Sequence, residues 1–202
     1  VQLPSPQVWQ NVYSAEMPQE IEVKCMVPST SDATAAHLVG RGAFWSAPFV
    51  QDDQAYAERG WSFDQSKLGF TFARIRTVDG HHTLTLKVPQ ANSLACLEYE
   101  TGVDDAPQTD AMLEAMGYRP TVRIRKRRRT ARFGDITLCL DEVDGLGLFM
   151  EAETMTSAGE DGAAIQGGLR AWLEAFALPI TWVEDGYDTL MAAHLEVAAS
   201  AQ

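Results

Sequence analysis

The sequence predicts an α+β protein built on an eight-stranded antiparallel β-barrel, with helices between and after the strands. Three observations carry that expectation. About eight segments alternate apolar and polar residues and are joined by hairpin turn signals. Helical patterns fall between some strands and after the last, rather than one after every strand. Like-charged residues recur two positions apart on one strand after another: Glu20/Glu22, Arg74/Arg76, Glu98/Glu100, Lys126/Arg128 and Glu151/Glu153. Residues i and i+2 of a strand share a face, so each pair sets two like charges side by side. Unit charges about 4 Å apart repel by roughly 4 kcal/mol at an effective dielectric near 20. A solvated face explains any one pair, but such faces usually mix Thr, Ser and Gln with charges of either sign. Acidic pairs call for a divalent cation and basic pairs for phosphates.

The elements follow in order. Residues 1–19, Pro- and Gln-containing and without a period, read as a leader before a single domain over 20–202. EIEVKCMV (20–27) alternates as a strand. Ser31-Asp32 offers an N-cap for a short helix through Val39, stopped by Gly40-Arg41-Gly42. The stretch 43–69 carries Phe44, Trp45, Phe49, Tyr56, Trp61 and Phe63 and holds a strand near 49–57; its aromatics read as core or lid packing, with a platform for a base as the alternative. FTFARIRTV and HTLTLKV flank Asp79-Gly80, a hairpin signal. LACLEYETGV is the next strand, and TDAMLEAMGY a helix capped near Thr109 and ended at Gly117. The run RPTVRIRKRRRTAR turns at Phe133-Gly134-Asp135 into ITLCLDEV, and GLGLFMEAETM follows as a strand. Two amphipathic helices, 160–178 and 185–198, break around Pro179.

Composition narrows the function. The 202 residues, 46% hydrophobic, supply a substantial core. No apolar run reaches membrane-spanning length and no secretory signal is visible. Cys25, Cys96 and Cys139 sit in apolar strand patterns without zinc spacing, which reads as reduced core thiols and a cytoplasmic location. A net charge of −12 argues against a general nucleic-acid binder, yet half of the sixteen basic residues lie between Arg119 and Arg132. Alternation through Val122 and Ile124 puts basic residues on both faces of that strand. The four histidines, His37, His81, His82 and His194, form no motif, and His81 and His82 fall at a hairpin turn.

Taken together these residues resemble the CYTH superfamily, also called triphosphate tunnel metalloenzymes. Glu20-Ile21-Glu22-Val23-Lys24 looks like the family's ExExK signature. Arg74-Ile75-Arg76, the T-L-K ending in Lys87, Glu98-Tyr99-Glu100, and the string from Leu140 to Glu153 follow in the family's order, across residues 20–190. The last string is most similar to the bacterial class IV adenylyl cyclase branch. The resemblance implies a tunnel in which carboxylates hold Mg²⁺ or Mn²⁺ and cations grip a triphosphate. By position, Glu20, Glu22, Glu98, Glu100, Glu151 and Glu153 would be metal-side carboxylates. Lys24, Arg74, Arg76, Lys87, Lys126 and Arg128 would be phosphate-side cations. Lys24, Asp141, Glu151 and Glu153 would serve catalysis. Register selects Lys126 and Arg128, with Arg125 and Arg127 on the opposite face. Two departures stand out: Ala95-Cys96-Leu97 lacks a basic residue the family often has there, and Leu148 replaces a residue often acidic in cyclase-like members.

The implied partner is a small triphosphate, whether ATP, thiamine triphosphate or tripolyphosphate, with neither membrane nor nucleic acid involved and a homodimer as an allowed assembly. Two reactions fit the same groups. ATP cyclisation to cyclic AMP and pyrophosphate is the first reading, on the 140–153 string, with an aromatic stretch available to close over a base. Hydrolysis by a triphosphatase is the alternative, and a non-catalytic polyphosphate or nucleotide binding module is the third. Tyr187 resembles the family's C-terminal tyrosine segment and reads as helix packing rather than substrate contact.

Overall fold

A computed structural model describes residues 18–157 and 159–200. Its strands are β1 (Pro18–Met26), β2 (Phe49–Glu58), β3 (Phe72–Val78), β4 (His81–Asn92), β5 (Ala95–Val103), β6 (Tyr118–Phe133), β7 (Ile136–Val143), β8 (Gly147–Ser157) and β9 (Thr181–Val183). Its helices are α1 (Ser31–Val39), α2 (Ala106–Ala115), α3 (Gly162–Glu174) and α4 (Tyr187–Ser200). The strands run β5-β4-β3-β2-β6-β7-β8-β1, all antiparallel, and β1 pairs back to β5 through Gln19–Ile21. That last pairing closes an eight-stranded barrel. Closure removes the exposed edges an open sheet would present.

The barrel is polar inside and apolar outside, and one strand shows why. On β1, Ile21, Val23 and Cys25 face outward into a core shared with Leu38 of α1 and Leu169 and Leu173 of α3. Glu20, Glu22 and Lys24 alternate with them and line the interior cavity. On another flank, Ile75 and Ala73 of β3 pack with Leu113 of α2. Met191 and Ala192 of α4 pack with Val122, Ile124, Val143 and Phe149, whose cluster borders the cavity at Ile124 and Tyr187. Apolar burial against the helices supplies the folding drive, at about 25 cal/mol per Å². The interior is thereby released for charge. Among the described residues no helix is long and apolar enough to cross a membrane.

Local chemistry explains the boundaries. Asp79 and Gly80 both take positive φ, 48° and 79°, the pattern of a tight two-residue hairpin turn joining β3 and β4. Three details differ from the sequence expectation. Thr30, not Ser31 or Asp32, caps α1, its hydroxyl accepting from the Ala33 N–H. Helix α2 starts three residues before Thr109, because Asp105 accepts from the Gln108 N–H and Pro107 suits the first turn. A short ninth strand, β9, stands where the sequence showed only the break after Pro179, and it extends β1 along Lys24–Met26. Of the expected leader, positions 18 and 19 open β1 and the rest lies outside the described residues.

Candidate functional site: a charged tunnel inside the barrel

The interior cavity encloses about 220 Å³. The β1–β8 register sets Glu22 opposite Glu153 and Lys24 opposite Glu151. Glu20, Glu22 and Glu153 each offer a carboxylate oxygen, all three within 4.8 Å of one another. Burial pushes Glu22 above the usual carboxylate range, with Glu151 and Glu20 adding to it against the pull of Lys24. Glu153 is pushed up to about 8, by burial first and then by Glu20 and Glu151, while Arg128 opposes. No cation bridges Glu153 among the described residues.

Glu151 differs from its neighbours. Lys24 Nζ lies 3.1 Å from its Oε1, and Arg128 bonds its Oε2. Despite burial, those cations hold Glu151 well below the ordinary value. Lys24 is only 2% exposed, lies 3.3 Å from Glu22 and donates to the Asp185 carbonyl. Burial works against its charge, but Glu22 and Glu151 outweigh it and raise its pKa.

Behind the cations stands Asp141, fully buried and absent from the cavity wall. Arg128 forks onto it at 2.7 and 2.5 Å, and Lys126 donates to it at 3.1 Å. The Tyr187 hydroxyl donates to the same carboxylate at 3.0 Å. Its ring centroid lies 4.3 Å from the Lys24 ammonium and 4.6 Å from that of Lys126. Burial, then Arg128, lowers the Lys126 pKa even with Asp141 beside it. Across the cavity Arg76 forks onto Asp53 at 2.7 Å for both bonds, holding that carboxyl near 2 against the effect of burial. Arg74 donates to Thr85, which donates to Glu100, and the buried Arg74 Nε has no partner among the described residues. Lys87 pairs with Glu98 and lies 3.5 Å from Glu20.

Thus every residue expected at the site except Asp141 lines one cavity. Lys126 and Arg128 point inward, at 3% and 7% exposure, while Arg125 and Arg127 are exposed on the other face. The expected metal-side carboxylates separate into two kinds. Glu20, Glu22 and Glu153 form a crowded acidic triad; Glu98, Glu100 and Glu151 are matched to Lys87, Arg74 and Lys24 with Arg128. Three hard oxygen donors with excess negative charge fit Mg²⁺ or Mn²⁺. The orphaned Arg74 Nε–H, and Lys126, whose charge burial and Arg128 disfavour, fit an anion.

Sequence reasoning missed Asp53 and Thr85, and it read Tyr187 as packing. Asp53 shares a doublet with Asp52, which faces outward to Arg123, so the pair carried no same-face signal. The ion pair of Lys67 with Asp188, also on the cavity wall, joins positions 121 apart. The aromatic stretch does not act as one lid. Phe44 is 88% exposed beside Trp45 in a separate groove, and Trp61 is buried against Phe63 and Phe72. Tyr56 borders the cavity, but its hydroxyl donates to Asp110 of α2 and its ring packs with Leu113. None of the four histidines lines the tunnel. The three thiols are free and buried, and burial pushes Cys25 and Cys96 up to about 12.

Comparison with known proteins adds lineage. A proposed adenylate cyclase of Methanocaldococcus jannaschii is 33% identical over 86 residues, 42% of this chain and 49% of that relative, so the match spans about half of the relative's length. A proposed adenylate cyclase of Vibrio parahaemolyticus has a similar fold, with a TM-score of 0.66 at 22% identity, over 86% of this chain and 98% of that one. A proposed adenylyl cyclase from Hippeastrum, described as having a dominant triphosphatase activity, aligns with a TM-score of 0.56 at 19% identity, over 84% and 92%. The CYTH domain model matches residues 18–178, and the chain belongs to the CYTH domain family.

Proposed function

We propose that the protein is a divalent-metal-dependent enzyme that hydrolyses the terminal phosphoanhydride of a small triphosphate. One observation carries the reading: the crowded triad of Glu20, Glu22 and Glu153, in which Glu153 has no cation partner among the described residues, lines the same cavity as the six cations Lys24, Arg74, Arg76, Lys87, Lys126 and Arg128. A triphosphate bridged to a divalent ion satisfies both. Glu20, Glu22 and Glu153 would hold the ion, which when bound neutralises phosphoryl charge and orients the attacking water. Arg74, Arg76 and Arg128 would fork onto phosphate oxygens, with Lys24, Lys87 and Lys126 as point charges. Asp141 and Tyr187 act behind them, fixing Lys126 and Arg128 in place. Catalysis of this kind is positioning and electrostatics, and no covalent nucleophile is needed.

Hydrolysis is favoured over cyclisation by the shape of the cavity. Its volume of about 220 Å³ falls below the roughly 300–1,000 Å³ of pockets that enclose drug-sized ligands. The phosphate chain is the part that fits the charged walls. Five of the six aromatics of residues 43–69, Phe44, Trp45, Phe49, Trp61 and Phe63, do not line the tunnel. The Hippeastrum protein supports the same choice by its described activity. Cyclisation of ATP is the second reading, favoured by the Leu140–Glu153 string and by the M. jannaschii relative's name. Phosphorus NMR of ATP and tripolyphosphate incubated with Mg²⁺ or Mn²⁺ separates them. Orthophosphate from both compounds is expected; cyclic AMP with pyrophosphate would establish the cyclase, and tight binding without product the non-catalytic module.

A further inference from the structure

The barrel closes on a short seam, and a side chain of α3 fastens it. β1 pairs with β5 through Gln19–Ile21 and with β9 through Lys24–Met26, so its edge passes from one neighbour to the other at Glu22 and Val23. There the Glu22 N–H donates to the Leu94 carbonyl at 2.9 Å. An antiparallel ladder would return a bond from the Leu94 N–H to the Glu22 carbonyl, but that N–H donates to Asn92 Oδ1 at 2.9 Å. Gln166 supplies the substitute. Its Nε2 donates to the Glu22 carbonyl at 3.0 Å and to Asn92 Oδ1 at 3.3 Å, and Asn92 Nδ2 donates back to Gln166 Oε1 at 2.9 Å. The start of α3 is seated for this contact: a Cβ on Gly162 would stand only 3.3 Å from that of Ala95. Gly167 and Gly168, by contrast, have open space where a Cβ would stand. Two adjacent glycines weaken a helix, so the place of Gln166 rests on its amide bonds more than on helix stiffness.

We propose that Gln166 is a positioning residue of the tunnel: by standing in for the ladder bond at Glu22, it sets the spacing between the acidic triad and Lys87. The assignment rests on the reading of the tunnel as a site for a divalent ion and a triphosphate. Gln166 is not on the cavity wall and touches neither ligand. The two sides of the seam carry different parts of the site. Glu20 and Glu22 stand on β1 with Glu153 beside them on β8, whereas Lys87 stands on β4, paired with Glu98 of β5 and 3.5 Å from Glu20. The β1–β8 ladder runs unbroken from Pro18 to Met26, so loosening the seam leaves the three carboxylates together. What moves is the cation opposite them. A ligand that must meet both sets then loses alignment, and misplacing reacting groups by about 1 Å costs roughly 100-fold in rate.

The test compares the native protein, Gln166→Met, and Gln166→Met combined with Gly167→Ala and Gly168→Ala. Methionine keeps the length and removes the donor; the two alanines have room and restore helix stability. For each protein, Tm, phosphate release from tripolyphosphate, and calorimetric binding of Mn²⁺ and of the uncleavable imido analogue of tripolyphosphate, alone and together, are measured. Gln166→Met should bind Mn²⁺ alone within about threefold of native. Its kcat should fall by roughly tenfold or more, and the factor by which ion and analogue raise each other's affinity should fall toward one. Both losses should persist in the triple variant although its Tm recovers. The assignment is overturned if Gln166→Met keeps the native kcat and the native mutual enhancement, or if recovered stability brings both back. Enhancement in the native protein that Gln166→Met leaves unchanged removes the role of Gln166 and keeps the tunnel; a native protein with neither phosphate release nor enhancement removes both.

Discussion

Replacing Glu153 by Gln should make the metal-free protein more stable, and only at high pH. The carboxyl is carried from its ordinary 4.5 up to about 8, by burial and by Glu20 and Glu151. The folded protein therefore keeps a proton on Glu153 across an interval where the unfolded chain has lost it. The stability this lends is fully present below pH 4.5 and is lost as pH rises through about 8. At 1.36 kcal/mol for each pH unit, the ceiling is roughly 5 kcal/mol, and water entering the cavity reduces it to about 2–3 kcal/mol. For a chain of this size that is a rise in Tm of about 5–10 °C. Thermal unfolding with a chelator present, at pH 5 and pH 9, should show native and Glu153→Gln protein together at pH 5 and separated by that amount at pH 9. Glu151→Gln gives the opposite sign. Lys24 and Arg128 hold Glu151 low, so its charge stabilises the fold above pH 4.5, and removing it leaves buried cations short of a partner. A pH-independent difference for Glu153→Gln, or destabilisation at pH 9, would refute the reasoning.

Two further outcomes follow from the geometry. Alanine at Lys126 or Arg128 should reduce phosphate release by roughly 100-fold, whereas alanine at Arg125 or Arg127, exposed on the outer face, should change it by less than about threefold; equal losses would mean that the strand register is wrong. Tyr187→Phe removes one hydrogen bond to Asp141, costing about 1 kcal/mol of stability, and keeps the ring against Lys24 and Lys126. Tyr187→Leu removes the ring too and should lower kcat further; equal kcat values for the two variants would show that the ring does not position the lysines.

Much of this molecule was legible in its sequence because alternation and charge sign are local. The i, i+2 doublets identified the inward face of β1, β3, β5, β6 and β8, and the Lys126/Arg128 register followed from the Gly134-Asp135 turn and the Leu140-Asp141 motif; in the fold Arg128 stands opposite Asp141. What stayed hidden depends on closure. Nothing local distinguishes Glu151, satisfied by Lys24 and Arg128, from Glu153, which has no such partner. Asp53 finds Arg76 across β2 and β3, and the ion pair of Lys67 with Asp188 exists only once α4 has folded against the loop before β3. The aromatic stretch read as core or lid packing, and Tyr56 and Trp61 are core; what the chain does not reveal is that its aromatics divide among separate clusters, Trp45 against one flank of the barrel and Tyr56 against another.

The central claim is that one cavity holds a divalent ion and a triphosphate as mutually dependent ligands. Calorimetric titration of tripolyphosphate, with and without Mn²⁺, into a variant too slow to consume it tests that directly. Lys126→Ala serves, since it leaves the acidic triad whole. The affinity for tripolyphosphate should rise by at least about tenfold when Mn²⁺ is present, and the affinity for Mn²⁺ should rise by the same factor when tripolyphosphate is present. Binding of tripolyphosphate that ignores the ion, or no binding of either, would contradict the account.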